Sequence, residues 1–383
     1  MGARRPESQT GSKIMMYIGL VLGWLFAILF GLLTISMLLM HNWLQAALLL
    51  PVVLLCLPSV TTLARSRWGL SIHPVLRIVL VAVLLYGFGR LFVGQEQTSI
   101  YKSPEIKSRF TQIYDQKMAE WPVPYEDIFL DTEYGRVHVI ASGPPQAPSL
   151  LLLHASGVSS WSWKYNVEPL SRHYRTYAID LIGDAGKSEF TDLKHVMKSG
   201  QDQARLYAEI ADKLGAQKAY VVGASEGGFI ASNFAGEYPE RVEKLALLGP
   251  MGYSGATQAI IRIALTSFFP LKPIQDATFA WAFSDSSQLK QDYAEWFPLT
   301  MTSLQPVKVP PLSVSAEQRQ ALSLPVMFVF GRRDNVVGNP DAAQAWVQDM
   351  QDVRVEIVDA GHLMGGELPD QINALLLDFF GEP

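Results

Sequence analysis

Three long apolar runs open the chain, and a regular alternation of short strand-like and helix-like segments follows them. Ile14 to Met40 carries no charged side chain, and about 20 apolar residues are enough to cross a bilayer as a helix. A second run extends from Trp43 to about Leu63 and contains Pro51 and Pro58; a third extends from about Val75 to Val93, with Arg77 and Arg90 near its ends. Arginines at such ends reach the head groups while their stems stay in hydrocarbon. Proline inside a span is tolerated where neighbouring helices satisfy the freed carbonyls. The pattern predicts a tail over 1–13 and a membrane region over 14–95 with about three transmembrane helices. A cleaved signal peptide is the alternative for the first run; its apolar core exceeds the usual length of about 7–15 residues, and two more apolar runs follow it.

Residues 96–124 are more polar, with Ile106, Phe110, Ile113 and Tyr114 at helical spacing and Pro122 and Pro124 at the end. They predict an amphipathic linking helix that packs on the next domain or lies on the bilayer surface. Two alternating segments, 126–131 and 136–141, read as a hairpin joined through Glu133-Tyr134-Gly135. From there strands and helices alternate to residue 383, which predicts an α/β fold with a mostly parallel, doubly wound sheet over 125–383. The alternation stops between about 251 and 323, where Ile260, Phe268, Phe279, Trp281, Trp296 and Phe297 belong to an aromatic-rich stretch. That insertion predicts a helical cap over the carboxyl edge of the sheet, either packing on the core or lining an acyl or aryl pocket.

Charge separates the two regions. Residues 1–95 hold seven Lys/Arg and one Glu, leaving 24 basic and 35 acidic residues for the rest, out of 31 and 36 in the whole chain. An acidic domain excludes nucleic acid as the expected partner. The tail carries Arg4, Arg5 and Lys13, the His41-Asn42 connection carries no Lys or Arg, and the next connection carries Arg65 and Arg67. Basic residues favour the cytoplasmic side, so three crossings leave the 125–383 domain of a multi-pass cell-membrane protein outside the cytoplasm. If the second run does not cross, the domain lies inside. Cys56, the only cysteine, offers no disulfide framework or cysteine-based metal site.

The chemistry centres on Gly223-Ala-Ser225-Glu-Gly227, placed between an apolar strand and a helix with a small-residue face. Such an elbow exposes a serine Oγ at a tight corner where flanking side chains do not fit. Serine is a weak nucleophile near neutral pH and needs a base, which in turn needs an orienting group. Downstream, a strand over Val326–Phe330 leads through Gly331 to Asp334, and a strand over Val353–Val358 leads to His362. Loops after parallel strands gather at one edge. Ser225 is therefore expected to attack a carbonyl, His362 to shuttle the proton, and Asp334 to hold the imidazole. Oxyanion donors are expected at the backbone N–H of Glu226 and, from the loop after Leu150–His154, of Ser156; one such donor contributes roughly 3–4 kcal/mol. His154 is expected to be structural beneath the site. His41, His73, His138, His173 and His195 lack metal-ligand spacing and are read as incidental. Trp161 and Trp163 are read as packing residues, with substrate contact the alternative.

These motifs resemble the α/β-hydrolase fold superfamily over residues 125–383. The resemblance rests on Leu-Leu-Leu-His-Ala-Ser-Gly at 151–157, Asp180-Leu-Ile-Gly-Asp-Ala-Gly-Lys-Ser188, the elbow, the 237–249 segment, Gly331-Arg-Arg-Asp334 and Gly361-His362. Two departures stand near the site: His154 is followed by Ala155 rather than Gly, and the Asp180–Ser188 loop is one residue longer than the family pattern. The resemblance implies a carboxylesterase- or lipase-like serine hydrolase with no metal or organic cofactor, acting on a small hydrophobic or lipid-like ester. Acyl transfer and C–C bond hydrolysis use the same triad and stay open, as does a non-catalytic membrane protein that uses the fold to bind a partner.

Overall fold

The computed structural model describes residues 8–39, 43–68, 76–77, 79–85, 99–253, 262, 272–282, 287–311 and 314–381. They fall into two units, one up to residue 85 and one from residue 99. In the first, α1 (Ser8–Leu39) is followed by α2 (Trp43–Cys56) and α3 (Pro58–Trp68). Ala27 of α1 meets Val52 and Cys56 of α2 in a small apolar cluster, while Leu20, Val21, Trp24, Leu25, Ile28 and Leu29 are exposed. The chain bends by 72° between Leu49–Cys56 and Pro58–Arg67. Proline lacks the donor that would continue the helix, and its ring disfavours helical backbone at the residue before it.

No single helix among the described residues is long and apolar enough to cross a membrane; the two arms of the bent pair reach that length and composition only when counted together. The expectation of about three transmembrane helices thus finds no support in any single helix among the described residues, and the second run, which contains Pro51 and Pro58, divides at Leu57. Of the third run only residues 76–77 and 79–85 are described, and the rest of that prediction lies outside the described residues.

The second unit begins with α4 (Pro104–Met118). Ser103 caps it by accepting the Ile106 amide, Pro104 occupies its first turn, and Phe110, Ile113, Tyr114 and Met118 are buried. The amphipathic helix predicted here exists, and it packs on the protein. Phe110 and Tyr114 meet Trp296 of the cap with ring centroids 5.0 and 6.5 Å apart.

Among the described residues nine strands form one sheet: β1 (Tyr125–Asp131), β2 (Gly135–Ser142), β3 (Ser149–Leu153), β4 (Arg175–Ile179), β5 (Glu189–Phe190), β6 (Ala219–Ala224), β7 (Val242–Leu248), β8 (Val326–Gly331) and β9 (Val353–Val358). The order is β1-β2-β4-β3-β6-β7-β8-β9, with β5 beside β2. β1 and β2 pair antiparallel, β2 is antiparallel to β4 and β5, and β4-β3-β6-β7-β8-β9 run parallel. The sheet is mixed with a parallel majority. Its central strands are near-continuous Leu, Val, Ile and Phe because both faces are covered. Val221 enters one apolar cluster with Leu206 and Phe229 of α5 (Gly200–Lys213) and α6 (Glu226–Glu237); its neighbour Val222 enters the other with Ile372 and Leu376.

The described part of the 251–323 insertion includes α7 (Lys272–Ala282), α8 (Ser287–Tyr293) and α9 (Trp296–Ser303); Ile260 and Phe268 lie outside the described residues. Trp296 is fully buried against Trp161, with centroids 5.7 Å apart. Asp292 accepts from Lys117 of α4 at 3.2 Å, pairs with Lys164 at 2.9 Å and accepts from the Tyr165 hydroxyl. The chain closes with α10 (Pro369–Phe380).

Candidate active site

β6 delivers Ser225 to the carboxyl edge of the sheet in a conformation that side chains avoid. Its φ of 52° and ψ of −113° make it the one non-glycine with positive φ among the described residues. Strain of this kind costs about 1–3 kcal/mol and persists only where the surroundings enforce it. Here they do: the Ser225 amide donates to Leu248 O at 2.9 Å, and its carbonyl accepts from Gly228, Phe229 and Met251. The corner also needs its glycines. A Cβ at Gly223 would lie 2.4 Å from Gly227 O, and one at Gly227 would lie 2.3 Å from Leu153 O.

The two residues expected to serve this serine stand beside it. His362 Nε2 lies 2.8 Å from Ser225 Oγ, and His362 Nδ1 lies 2.9 Å from Asp334 Oδ2. The other Asp334 oxygen accepts the Val336 and Val337 amides at 2.8 and 2.9 Å. Hydrogen bonds on both oxygens hold the carboxylate in one orientation. It draws the imidazole proton to Nδ1 and leaves Nε2 to accept the serine proton. Ser225 and Asp334 are buried, and the His362 side chain is nearly so.

The Glu226 amide lies at the N-terminus of α6, where helix donors are unpaired by geometry. Neither it nor the Ser156 amide donates to an acceptor among the described residues. Gly157 N–H, in the same loop, is committed to Asp184 Oδ2 at 2.8 Å. His154 is structural as expected: its Nε2 accepts the Leu181 amide at 3.0 Å, and its Nδ1 donates to Ala155 O at 2.8 Å.

A cavity of about 40 Å³ adjoins His362, lined by Ala155, Trp163, Leu248 and Met364, with Leu289 and Tyr293 from the cap. It is large enough for about one water molecule. Trp163 therefore borders the site, and its buried Nε1–H has no acceptor among the described residues. Trp161 is the packing residue that the sequence suggested, in contact with Tyr293 and Trp296.

Sequence reasoning missed two polar clusters. His138, read as incidental, is wholly buried; its Nδ1 lies 2.8 Å from Asp180 Oδ2 and its Nε2 2.7 Å from Asp127 Oδ1. Asp180 also accepts from the Ser160 amide and hydroxyl, at 3.0 and 2.6 Å, and from the Lys187 amide at 2.9 Å. Burial opposes charge on both partners, but their mutual hydrogen bond outweighs it. The result holds His138 above the usual histidine range and Asp180 well below the usual carboxylate range. The second cluster surrounds Lys308, which bonds Ser156, Asp184 and Glu226. Its one sequence signal was the extra residue in the Asp180–Ser188 loop, since Asp184 lies in that lengthened stretch and grips the loop carrying Ser156.

The family model described as "Alpha/beta hydrolase family" matches residues 150–375. The carboxylesterase YbfK of Bacillus subtilis (strain 168) is 32% identical over 298 residues, which cover 73% of this chain and 96% of the relative. The uncharacterized carboxylesterase nap of the same strain is 28% identical over 308 residues, covering 75% and 97%. The crystal structure of naproxen esterase from Bacillus subtilis superposes with a TM-score of 0.68 at 28% identity, over 73% of this chain and 100% of the other.

Proposed function

The chain belongs to the alpha/beta hydrolase family, and we propose that it is a serine carboxylesterase acting on hydrophobic small-molecule esters. The observation that carries this reading is the hydrogen-bonded series Ser225–His362–Asp334 on a strained elbow. In the proposed reaction, Ser225 Oγ attacks the ester carbonyl as His362 Nε2 takes its proton. The imidazolium then protonates the leaving alkoxide, giving an alcohol and an acyl-serine. Water, deprotonated by the same nitrogen, releases the acid. The Glu226 and Ser156 amides serve the oxyanion in both steps. Similarity to two carboxylesterases over nearly their whole length supports the ester as substrate.

The membrane reading is part of the proposal. The exposed apolar side chains of α1 and the bent α2–α3 pair support insertion of the N-terminal unit in a bilayer, and the basic residues beside the runs support a catalytic domain outside the cytoplasm. Protease added to intact cells would then digest the catalytic domain; digestion only after lysis would reverse this orientation.

The catalytic reading is tested by labelling detergent-solubilised protein with a fluorophosphonate, which captures only an activated serine. Labelling of wild type and its loss in Ser225→Ala is the expected result. Folded wild type that neither labels nor cleaves short-chain nitrophenyl esters would overturn the reading.

A further inference from the structure

We infer that Lys308 is a positioning residue for the oxyanion hole, its ammonium joining the side chains of the two residues whose amides are assigned to that hole. The inference rests on the serine-esterase reading above. Lys308 Nζ donates to Ser156 Oγ at 2.6 Å, to Asp184 Oδ2 at 2.7 Å and to Glu226 Oε2 at 2.6 Å. An ammonium has three protons, so these contacts use all of them and leave none for substrate. The three acceptors come from three places at the carboxyl edge: the loop after β3, the loop after β4 and the first residue of α6 after β6.

The cluster extends into the backbone. Asp184 Oδ2, one of the Lys308 partners, also accepts Gly157 N–H, and the Gly157 carbonyl accepts Trp296 Nε1–H of the cap at 3.0 Å. The Ser156–Gly157 segment is thereby held through its side chain, its amide and its carbonyl. Lys308 itself sits on the strand-like return from α9. That return is tied down by Lys102 N–H to Ser303 O, Gln305 N–H to Ile100 O and Val307 N–H to Gly183 O, at 3.2, 2.7 and 3.2 Å. Burial works against the charge of Lys308, but Asp184 and Glu226 outweigh it and hold the ammonium above the usual lysine range.

Electrostatics give the arrangement its catalytic sense. The Asp184 and Glu226 side chains are 3% and 5% exposed, and Glu226 follows the nucleophile directly. An uncompensated carboxylate there opposes the negative charge that must develop on the substrate oxygen. Lys308 sets a positive charge, shared with Asp184, against this side chain while the Glu226 amide serves as donor. The effect is specific to the transition state and belongs in kcat rather than KM.

The test uses full-length protein in detergent, with steady-state hydrolysis of p-nitrophenyl butyrate and the thermal midpoint measured for each variant. Lys308→Met is expected to lower kcat about 10- to 100-fold, the range below a lost oxyanion donor, with KM within about twofold. Adding Glu226→Gln to Lys308→Met is expected to restore kcat by about tenfold, because it removes the unpaired charge next to the nucleophile, whereas Asp184 keeps the Gly157 amide as a donor. Ser156→Ala, which keeps the backbone amide and loses one lysine contact, is expected to lower kcat severalfold at unchanged KM. A folded Lys308→Met with wild-type kcat would overturn the inference, as would a loss that Glu226→Gln leaves unrepaired. If Lys308→Met does not fold, wild-type kcat in Ser156→Ala overturns it. Wild type without turnover or fluorophosphonate labelling would instead sink the esterase reading itself.

Discussion

Asp334 meets Ser225 only through His362, and the proposed proton transfer depends on how it holds that ring. One oxygen holds His362 Nδ1 and the other is fixed by two amides, so the carboxylate has one orientation. Asp334→Asn keeps the shape but presents an NH2 or a neutral oxygen to the imidazole, favouring the wrong tautomer. We expect kcat for ester hydrolysis to fall by about 10⁴-fold, as in comparable triads, while the thermal midpoint changes little. A loss below tenfold would remove Asp334 from the mechanism. The three residues of the proposed triad, which the fold brings within hydrogen-bond distance, were legible in the sequence because each follows a recognisable strand beside a glycine. Lys308 was not: its partners lie 152, 124 and 82 residues away, and no local pattern marks a lysine that will meet two buried acids. His138 escaped for the same reason, as its partners only converge when β1, β2 and β4 pair.

At the scale of elements, that histidine joins separate pieces of structure. It sits on β2 and meets Asp127 of β1, Asp180 after β4 and the Tyr114 hydroxyl of α4, the last at 3.3 Å. Its amide donates to Ser188 Oγ at 2.8 Å, and that hydroxyl donates in turn to Asp180 O at 2.7 Å. The raised pKa of His138 gives stability that is complete below the unfolded value near 6.5 and is lost as pH rises through the folded value. The lowered pKa of Asp180 acts oppositely: its contribution is present above about 3.8 and disappears as pH falls through the folded value. Thermal midpoints measured upward from pH 6 should therefore decline in wild type through the His138 titration. His138→Gln should lack that slope and lie lower at pH 6, since breaking one side of a buried pair costs about 3–5 kcal/mol. Equal slopes in the two proteins would exclude His138 as the titrating group. The strands β8 and β9 were readable as apolar segments leading into glycine-containing loops, and α4 from its helical spacing; the break at Leu57 was written in Pro58, but an apolar run does not reveal that the chain turns there.

The whole molecule divides between an N-terminal unit that the carboxylesterase relatives do not require and a catalytic unit that carries its own core. The solved naproxen esterase is matched over 100% of its length by 73% of this chain, so about a quarter of the chain has no counterpart in a protein that folds as a hydrolase. Every residue of the proposed site, and both large apolar clusters, lie in the unit from residue 99 onward. The boundary matters, however, because α4 is part of that core: Phe110 and Tyr114 are 1% exposed and cover the cap through Trp296. Removal of residues 2–96 is expected to yield a protein that folds without detergent, with kcat for p-nitrophenyl butyrate within about threefold of the full chain and fluorophosphonate labelling at Ser225. Removal of residues 2–122 takes α4 as well. It would expose Trp296 and unpair His138 from Tyr114, and burying an aromatic side chain is worth several kcal/mol where its neighbours cannot close the gap. The longer truncation should therefore lower the thermal midpoint by at least 10 °C or prevent folding. Equal midpoints for the two truncations would show that α4 is a tether and not a wall of the catalytic unit.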